Sequence, residues 1–142
     1  MRSNDIIAAA EQTIGTPWVH EGRHPKLGLD CIGVVLHTCR ATGFSDYEPP
    51  PYPRHAQWYQ FEKEFARFLI RVPNALARPS DILVFRQEIF PCHCGVMSNP
   101  RRTGEPQFIH GYIPRGRVVE EIYTDEWKRK TRAVFRFPGL ED

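Results

Sequence analysis

Residues 31–40, Cys-Ile-Gly-Val-Val-Leu-His-Thr-Cys-Arg, are apolar on most sides when wound at helical spacing. A surface helix keeps one polar face. A helix with almost none runs through the middle of a domain and is covered on several sides. Gly28 and Asp30 precede it, a turn former and a helix cap, and Gly43 supplies a stop at the far end. The run therefore predicts a central buried helix with Cys31 in its first turn. There, unpaired backbone N–H groups and the helix dipole favour a thiolate. A cysteine at such a helix start can have its pKa drawn from about 8.5 into the range of roughly 3.5–7.5.

The elements around that helix divide the chain in two. Ser3-Asn4-Asp5 can cap a helix over residues 6–14, with Ile6, Ile7, Ala10 and Ile14 as its apolar face. Gly15-Thr16-Pro17 ends it, and residues 16–29 read as a loop. Residues 47–54, rich in proline, read as polyproline conformation over a surface. A third helix is expected over 56–70, with Trp58, Phe61, Phe65, Phe68 and Leu69 forming a core stripe. From residue 81 the pattern changes to short runs: 81–86, 93–98, 107–112, 117–123 and 132–137 read as strands, with a helical turn near 125–127. Helices first and strands afterwards predict an α+β fold, an antiparallel sheet or small half-barrel packed on N-terminal helices, in one domain over residues 1–142.

Composition narrows the function. The net charge is +2, from 19 basic and 17 acidic residues, which gives no basis for nucleic acid as a partner. Arg101-Arg102 and Lys128-Arg129-Lys130 read as solvated surface. There is no apolar run long enough to span a membrane. The N-terminal stretch is not a secretory signal, so cytoplasmic synthesis is expected, with the cysteines at 31, 39, 92 and 94 reduced. Cys31 and Cys39 stand about 12 Å apart along a helix, too far to bridge. Cys39 reads as a buried small apolar residue.

A nucleophilic Cys31 needs a base. Among six histidines, His37 lies well along the cysteine helix and reads as structural, and His20, His24 and His55 fall in loops. His93 and His110 fall on neighbouring strands. A hairpin centred between Arg101 and Arg102 sets them opposite one another on one face, where one can act as base and the other orient it. A metal site built from Cys92, His93, Cys94 and His110 is the competing reading. Strand alternation opposes it, because Cys92 and Cys94 point away from the face of His93, and paired Cys-x2–4-Cys spacing is absent. No metal is therefore expected, although Cys31, His93 and His110 together could take up zinc adventitiously.

With these residues in hand, the chain resembles the NlpC-type cell-wall cysteine peptidases. Asp30-Cys31-Ile32-Gly33-Val34-Val35 resembles their nucleophile motif, and Gly15-Thr16-Pro17-Trp18 with Gly22 resembles the segment before it. Pro79-Ser80-Asp81-Ile82-Leu83-Val84-Phe85-Arg86 resembles the strand leading toward the base. His93-Cys94-Gly95-Val96 resembles the base motif, and Phe108-Ile109-His110-Gly111 the motif of the third polar residue. The stretches His20-Glu21-Gly22-Arg23 and 133–138 resemble the branch found in phage tails and gene transfer agents. Trp18 stands where many members have tyrosine, and His20-Glu21-Gly22-Arg23 replaces a Gly-Gly pair.

The resemblance implies a papain-like fold and cleavage of amide bonds in peptidoglycan stem peptides. It assigns Cys31, His93 and His110 to catalysis and sets Trp18, His20 and Asp30 against substrate. It implies no cofactor, with phage-like tail proteins as partners and a phage-like particle as the destination. A non-catalytic tail assembly or tip protein, and an amidase or acyltransferase on the same scaffold, are the alternatives.

Overall fold

Helix α1 (Ser3–Glu11) starts ahead of the expected residue 6. Asp5 is the cause. Its carboxylate accepts the Arg2 N–H at 2.8 Å, so it closes the first turn from inside the helix rather than preceding it. Ile6, Ile7, Ala9 and Ala10 are buried, whereas Ile14 lies beyond the helix end and is 44% exposed. The computed structural model describes residues 1–54, 58–87 and 93–142; the expectations for His55, Ala56, Cys92 and the Trp58 side chain lie outside the described residues.

The stretch expected as a loop contains a small antiparallel ladder, β1 (Arg23–His24) with β2 (Gly28–Leu29). His24 does more there than face solvent. Its Nδ1 accepts the Lys26 and Leu27 N–H groups at 3.1 and 3.2 Å and closes the turn between the strands. Helix α2 (Cys31–Ala41) follows as expected, and Gly43 adopts the left-handed conformation just past its end. Ile32, Val34, Val35, Leu36 and Cys39 are buried. Each large aliphatic side chain so buried contributes about 1.5–3 kcal/mol. His37 reaches Gln12 beyond α1 at 3.4 Å, a structural contact.

Helix α3 (Trp58–Phe65) ends short of residue 70. Phe61, Phe65 and Leu69 are buried as the stripe predicted. Past Phe65 the chain turns, and β3 (Ile70–Val72) forms a strand that the helical reading missed. Ile70 and Val72 are β-branched and have a sheet edge to join, which outweighs the continuation of a helical stripe.

The remaining elements are β4 (Ile82–Phe85), β5 (His93–Ser98), β6 (Gln107–Tyr112), β7 (Arg117–Ile122), α4 (Asp125–Lys130) and β8 (Thr131–Arg136). They match the expected strands to within a residue or two. The sheet runs β3-β8-β4-β5-β6-β7, with its neighbouring strands antiparallel. Alternation divides it into two faces. Ile82, Val84, Cys94, Val96, Ile109, Val118, Ala133 and Phe135 join the core formed with α1, α2 and α3. Leu83, Phe85, Met97, Phe108 and Val134 form a second cluster with Tyr123 and Trp127, the latter from α4.

The β5–β6 register departs from expectation by two residues. Val96 faces Ile109 and Ser98 faces Gln107, so His93 and His110 are not directly opposed. Because side chains alternate with period two, this displacement leaves both histidines on the same face, as diagonal neighbours. Gly95 makes the diagonal contact possible. A Cβ there would lie 2.9 Å from the Ile109 carbonyl oxygen and 3.2 Å from the His110 Cβ.

Candidate active site

Asp30 caps α2 by accepting the Gly33 N–H at 2.7 Å. Its other contacts hold the cap in place. One oxygen also receives Arg23 Nη1 at 3.2 Å; the second receives the Glu21 N–H at 2.8 Å and the Tyr52 hydroxyl at 2.5 Å. Arg23 in turn binds Glu48 and the Tyr52 hydroxyl, each at 2.9 Å at the nearest. Burial, then the Asp30 charge, push the Tyr52 hydroxyl far above its ordinary range. Asp30 is itself 3% exposed and borders the cleft with both oxygens engaged inside the protein.

Two glycines let this helix start pack closely. A Cβ on Gly33 would lie 2.3 Å from the Gly22 carbonyl oxygen, and one on Gly111 would lie 3.0 Å from the Asp30 carbonyl carbon and 3.2 Å from the Cys31 nitrogen. Backbone from the β1–β2 region and from β6 thereby pinches the first turn of α2 from two sides.

Cys31 is partly exposed. Its thiol is drawn down to about 6, first by a hydrogen bond from the Cys94 thiol and then by the hydrogen bond and charge of His93, against burial and the Asp30 charge. Cys94 lies on the sheet face that packs on α2, and His93, one residue earlier, on the other. The sulfur sits where α2 meets the start of β5 and so reaches both. Among the described residues no cluster of three or more His, Cys, Asp or Glu is arranged to hold a metal ion.

The histidine pair is buried, His93 at 4% and His110 at 0% exposure. His93 Nε2 lies 2.5 Å from His110 Nδ1, and His110 Nε2 lies 2.6 Å from Glu121 Oε2. Phe85 stacks on His93, Tyr112 stacks on His110, and Trp127 packs edge-on to His110. Burial in this aromatic enclosure pushes both imidazoles down, while the Cys31 hydrogen bond lifts His93 and Glu121 lifts His110.

The cleft over Cys31 and His93 is bordered by Trp18, His20, Tyr52, Arg54, Phe61, Gln87, Gly111 and Tyr112. Arg54 lies over the Trp18 ring at 5.6 Å, and His20 packs edge-on to Tyr52. All six residues named from the sequence border this cleft except His110, which lies behind His93.

Two structures of known proteins share this arrangement of elements over nearly all of the chain. The NlpC/p60 domain of the peptidoglycan hydrolase SagA superposes with a TM-score of 0.66 at 20% identity, covering 96% of this chain and 100% of that one. An NlpC/p60 family protein from Bacillus cereus ATCC 10987 superposes with a TM-score of 0.67 at 16% identity, covering 96% of this chain and 40% of that one. The chain has the NlpC/p60 fold. That fold is papain-like, as the nucleophile and base motifs implied. No family model matches the chain. In sequence it is 27% identical over 140 residues to the gamma-DL-glutamyl hydrolase of Bacillus subtilis (strain 168), covering 95% of this chain and 29% of that protein. It is also 27% identical over 124 residues to the tail tip assembly protein K of Escherichia phage lambda, covering 81% of this chain and 57% of that protein. The chain thus spans less than two thirds of the length of either relative.

Three residues of this site carry little signal in the sequence. Strand alternation puts Cys94 on the face opposite His93, which is the face that packs on the cysteine helix. Glu121 was unremarked on its strand; its parity with Val119, which faces His110 in the ladder, was the available signal once the register is known. Tyr52 sat in a proline-rich segment with no periodicity to aim it. A tyrosine hydroxyl does stand near Asp30, reaching it from Tyr52 rather than from position 18.

Proposed function

We propose that this protein is a cysteine peptidase that hydrolyses amide bonds in bacterial peptidoglycan stem peptides, with residues 1–142 acting as one catalytic domain. The observation that carries the reading is the Cys31 thiol at a helix start, in one cleft with His93, which bonds in turn to His110. The names of the relatives agree with it: a peptidoglycan hydrolase by fold and a gamma-DL-glutamyl hydrolase by sequence.

In this reading the Cys31 thiolate attacks the amide carbonyl carbon. The negative charge developing on oxygen is met by the Cys31 backbone N–H at the start of α2. His93 gives its proton to the leaving amine and then takes one from the water that cleaves the thioester. His110 orients His93. Trp18 and His20 form one wall for the substrate, and Asp30 acts through the helix start that it holds.

The test is release of peptides from purified peptidoglycan under reducing conditions with a chelator present, wild type against Cys31→Ala. The expected loss is at least about 10⁴-fold, the scale on which removal of a nucleophile acts. No release by the wild type overturns the reading. An acyl group held on Cys31 and passed to added amines rather than water would mark an acyltransferase.

The similarity to a phage tail tip assembly protein favours a second reading, in which the domain is made in the cytoplasm and built into a phage-like tail. The two are compatible when the tail carries the enzyme to the wall. Wall turnover separates an enzyme in the tail from a purely structural tip protein.

A further inference from the structure

Glu121 extends the histidine pair by one member. It stands opposite Phe108 in the β6–β7 ladder, so its side chain and that of His110 share a face as diagonal neighbours. Its Oε2 lies 2.6 Å from His110 Nε2, and its Oε1 accepts the Trp127 indole N–H at 3.1 Å. Trp127 comes from α4, whose first turn Thr124 caps by accepting the Trp127 N–H. The carboxylate is therefore gripped at both oxygens.

That grip determines where protons sit. An ionised carboxylate only accepts, so the proton of a neutral His110 lies on Nε2. Its Nδ1 is then an acceptor, and His93 must carry its proton on Nε2 to satisfy it at 2.5 Å. His93 Nδ1 is left bare toward Cys31, ready to take the thiol proton. We propose that Glu121 is a positioning residue that sets the tautomer of His110 and, through it, that of His93, forming a relay Cys31–His93–His110–Glu121. The proposal rests on the reading of Cys31 and His93 as nucleophile and base.

Removing the carboxylate frees His110 to place its proton on Nδ1. Two N–H groups cannot face each other, so His93 would then hold its proton on Nδ1, against the thiol, and could not act as base. Among the described residues, the charged or titratable groups facing the pair are Asp30 and Cys31 at the start of α2, Tyr112 at the end of β6 and Glu121 from β7, with Arg115 from the turn after β6 acting on Glu121. Of these, Glu121 is the one bonded to His110.

The test needs no peptidoglycan. Imidazole nitrogen NMR of the wild type reads the tautomers directly, and site-resolved alkylation by iodoacetamide, followed against pH by mass spectrometry, reads the Cys31 thiolate. The wild type is expected to hold His110 as the Nε2–H form. In Glu121→Ala this form gives way to a mixture, and Cys31 alkylation near pH 6.5 falls about tenfold, well below the roughly 10⁴-fold that a wrong tautomer of the base itself costs. In Glu121→Gln the single amide oxygen is claimed by the Trp127 indole N–H, which can only donate, so the NH2 turns toward His110 Nε2 and the same loss of the Nε2–H form is expected in a side chain of unchanged shape. An Nδ1–H form of His110 in the wild type overturns the proposal without any variant. So does an unchanged tautomer and pH profile in a folded Glu121→Ala. Peptidoglycan left intact while tautomer and alkylation respond as expected would instead count against the peptidase reading alone.

Discussion

The two ends of α2 each carry a cysteine, Cys31 in the first turn and Cys39 near the last, and the fold treats them in opposite ways. The thiol of Cys31 is drawn down to about 6 by donors from Cys94 and His93. That of Cys39, 1% exposed among aliphatic neighbours, is pushed up to about 12 by burial. Both belong to one helix and one core cluster. The difference lies in what the rest of the fold brings to each sulfur. At the first end, strand β5 supplies two polar groups and the helix supplies free N–H groups. At the second, burial dominates, and the weaker contributions of Thr38 and Arg40 do not reverse it.

The widest separation is expected in reactivity. At pH 7 the thiolate fractions of the two cysteines differ by about 10⁵, and the lower intrinsic nucleophilicity of the more acidic thiol reduces this to roughly 10²–10³ in alkylation rate. Peptide mapping after brief exposure to iodoacetamide should find Cys31 modified and Cys39 intact. Comparable labelling in folded protein would break the comparison.

A geometric change at one end should be felt there alone. Gly111→Ala pushes a methyl group against Asp30 and the Cys31 nitrogen. Overpacking of this kind costs about 1–3 kcal/mol. Displacement of the helix start should slow Cys31 alkylation by roughly tenfold, within the loss that misplacement by about 1 Å brings. A Cys31 profile identical to wild type would mean that this close approach does not position the sulfur.

Cys94→Ala removes the strongest donor to Cys31 but leaves His93 in place. The alkylation midpoint should move up from about 6, with Cys39 unaffected. A rise of about one pH unit or more is expected, but less than about tenfold in rate at fixed pH, because the less acidic thiolate is the stronger nucleophile.

The effect on stability carries a sign. Cys31 has a folded-state pKa below its ordinary 9, so the unfolded chain holds the extra proton between about pH 6 and 9. Its contribution is fully present above 9 and lost as pH falls through 6. Cys39 is the reverse: its contribution is present below 9 and lost as pH rises toward 12. Denaturant midpoints should therefore rise less steeply from pH 6 to 9 in Cys31→Ala and fall less steeply above pH 9 in Cys39→Ala. The first value belongs to the coupled Cys31–His93 pair.

Much of the site was legible in the sequence because it rests on local order. Asp30 before Cys31 reads as a cap, and a cap aims the first turn. His93 and His110 lie on strands whose side chains alternate, so a hairpin displaced by an even number of residues still puts both on one face. That is why the expected pairing was off by two and yet the two rings meet. The α3 boundary failed for the complementary reason: Phe65, Phe68 and Leu69 suit a helical stripe, but Ile70–Val72 had a strand edge at β8 to join, and that partner is distant in sequence.

The sequence by itself determined the order of elements, the buried character of α2, the cysteine at its start and the face shared by two histidines. These follow from spacing of 3.6 and 2 residues, which a chain carries whatever it packs against. The tertiary structure alone decided that Cys94 reaches Cys31, that Glu121 and Trp127 close behind His110, and that Tyr52 and Arg23 hold Asp30. Those contacts depend on strand register, on where α4 crosses the sheet and on how an aperiodic segment lies over α2. Long-range packing sets each of these, and no local preference encodes them.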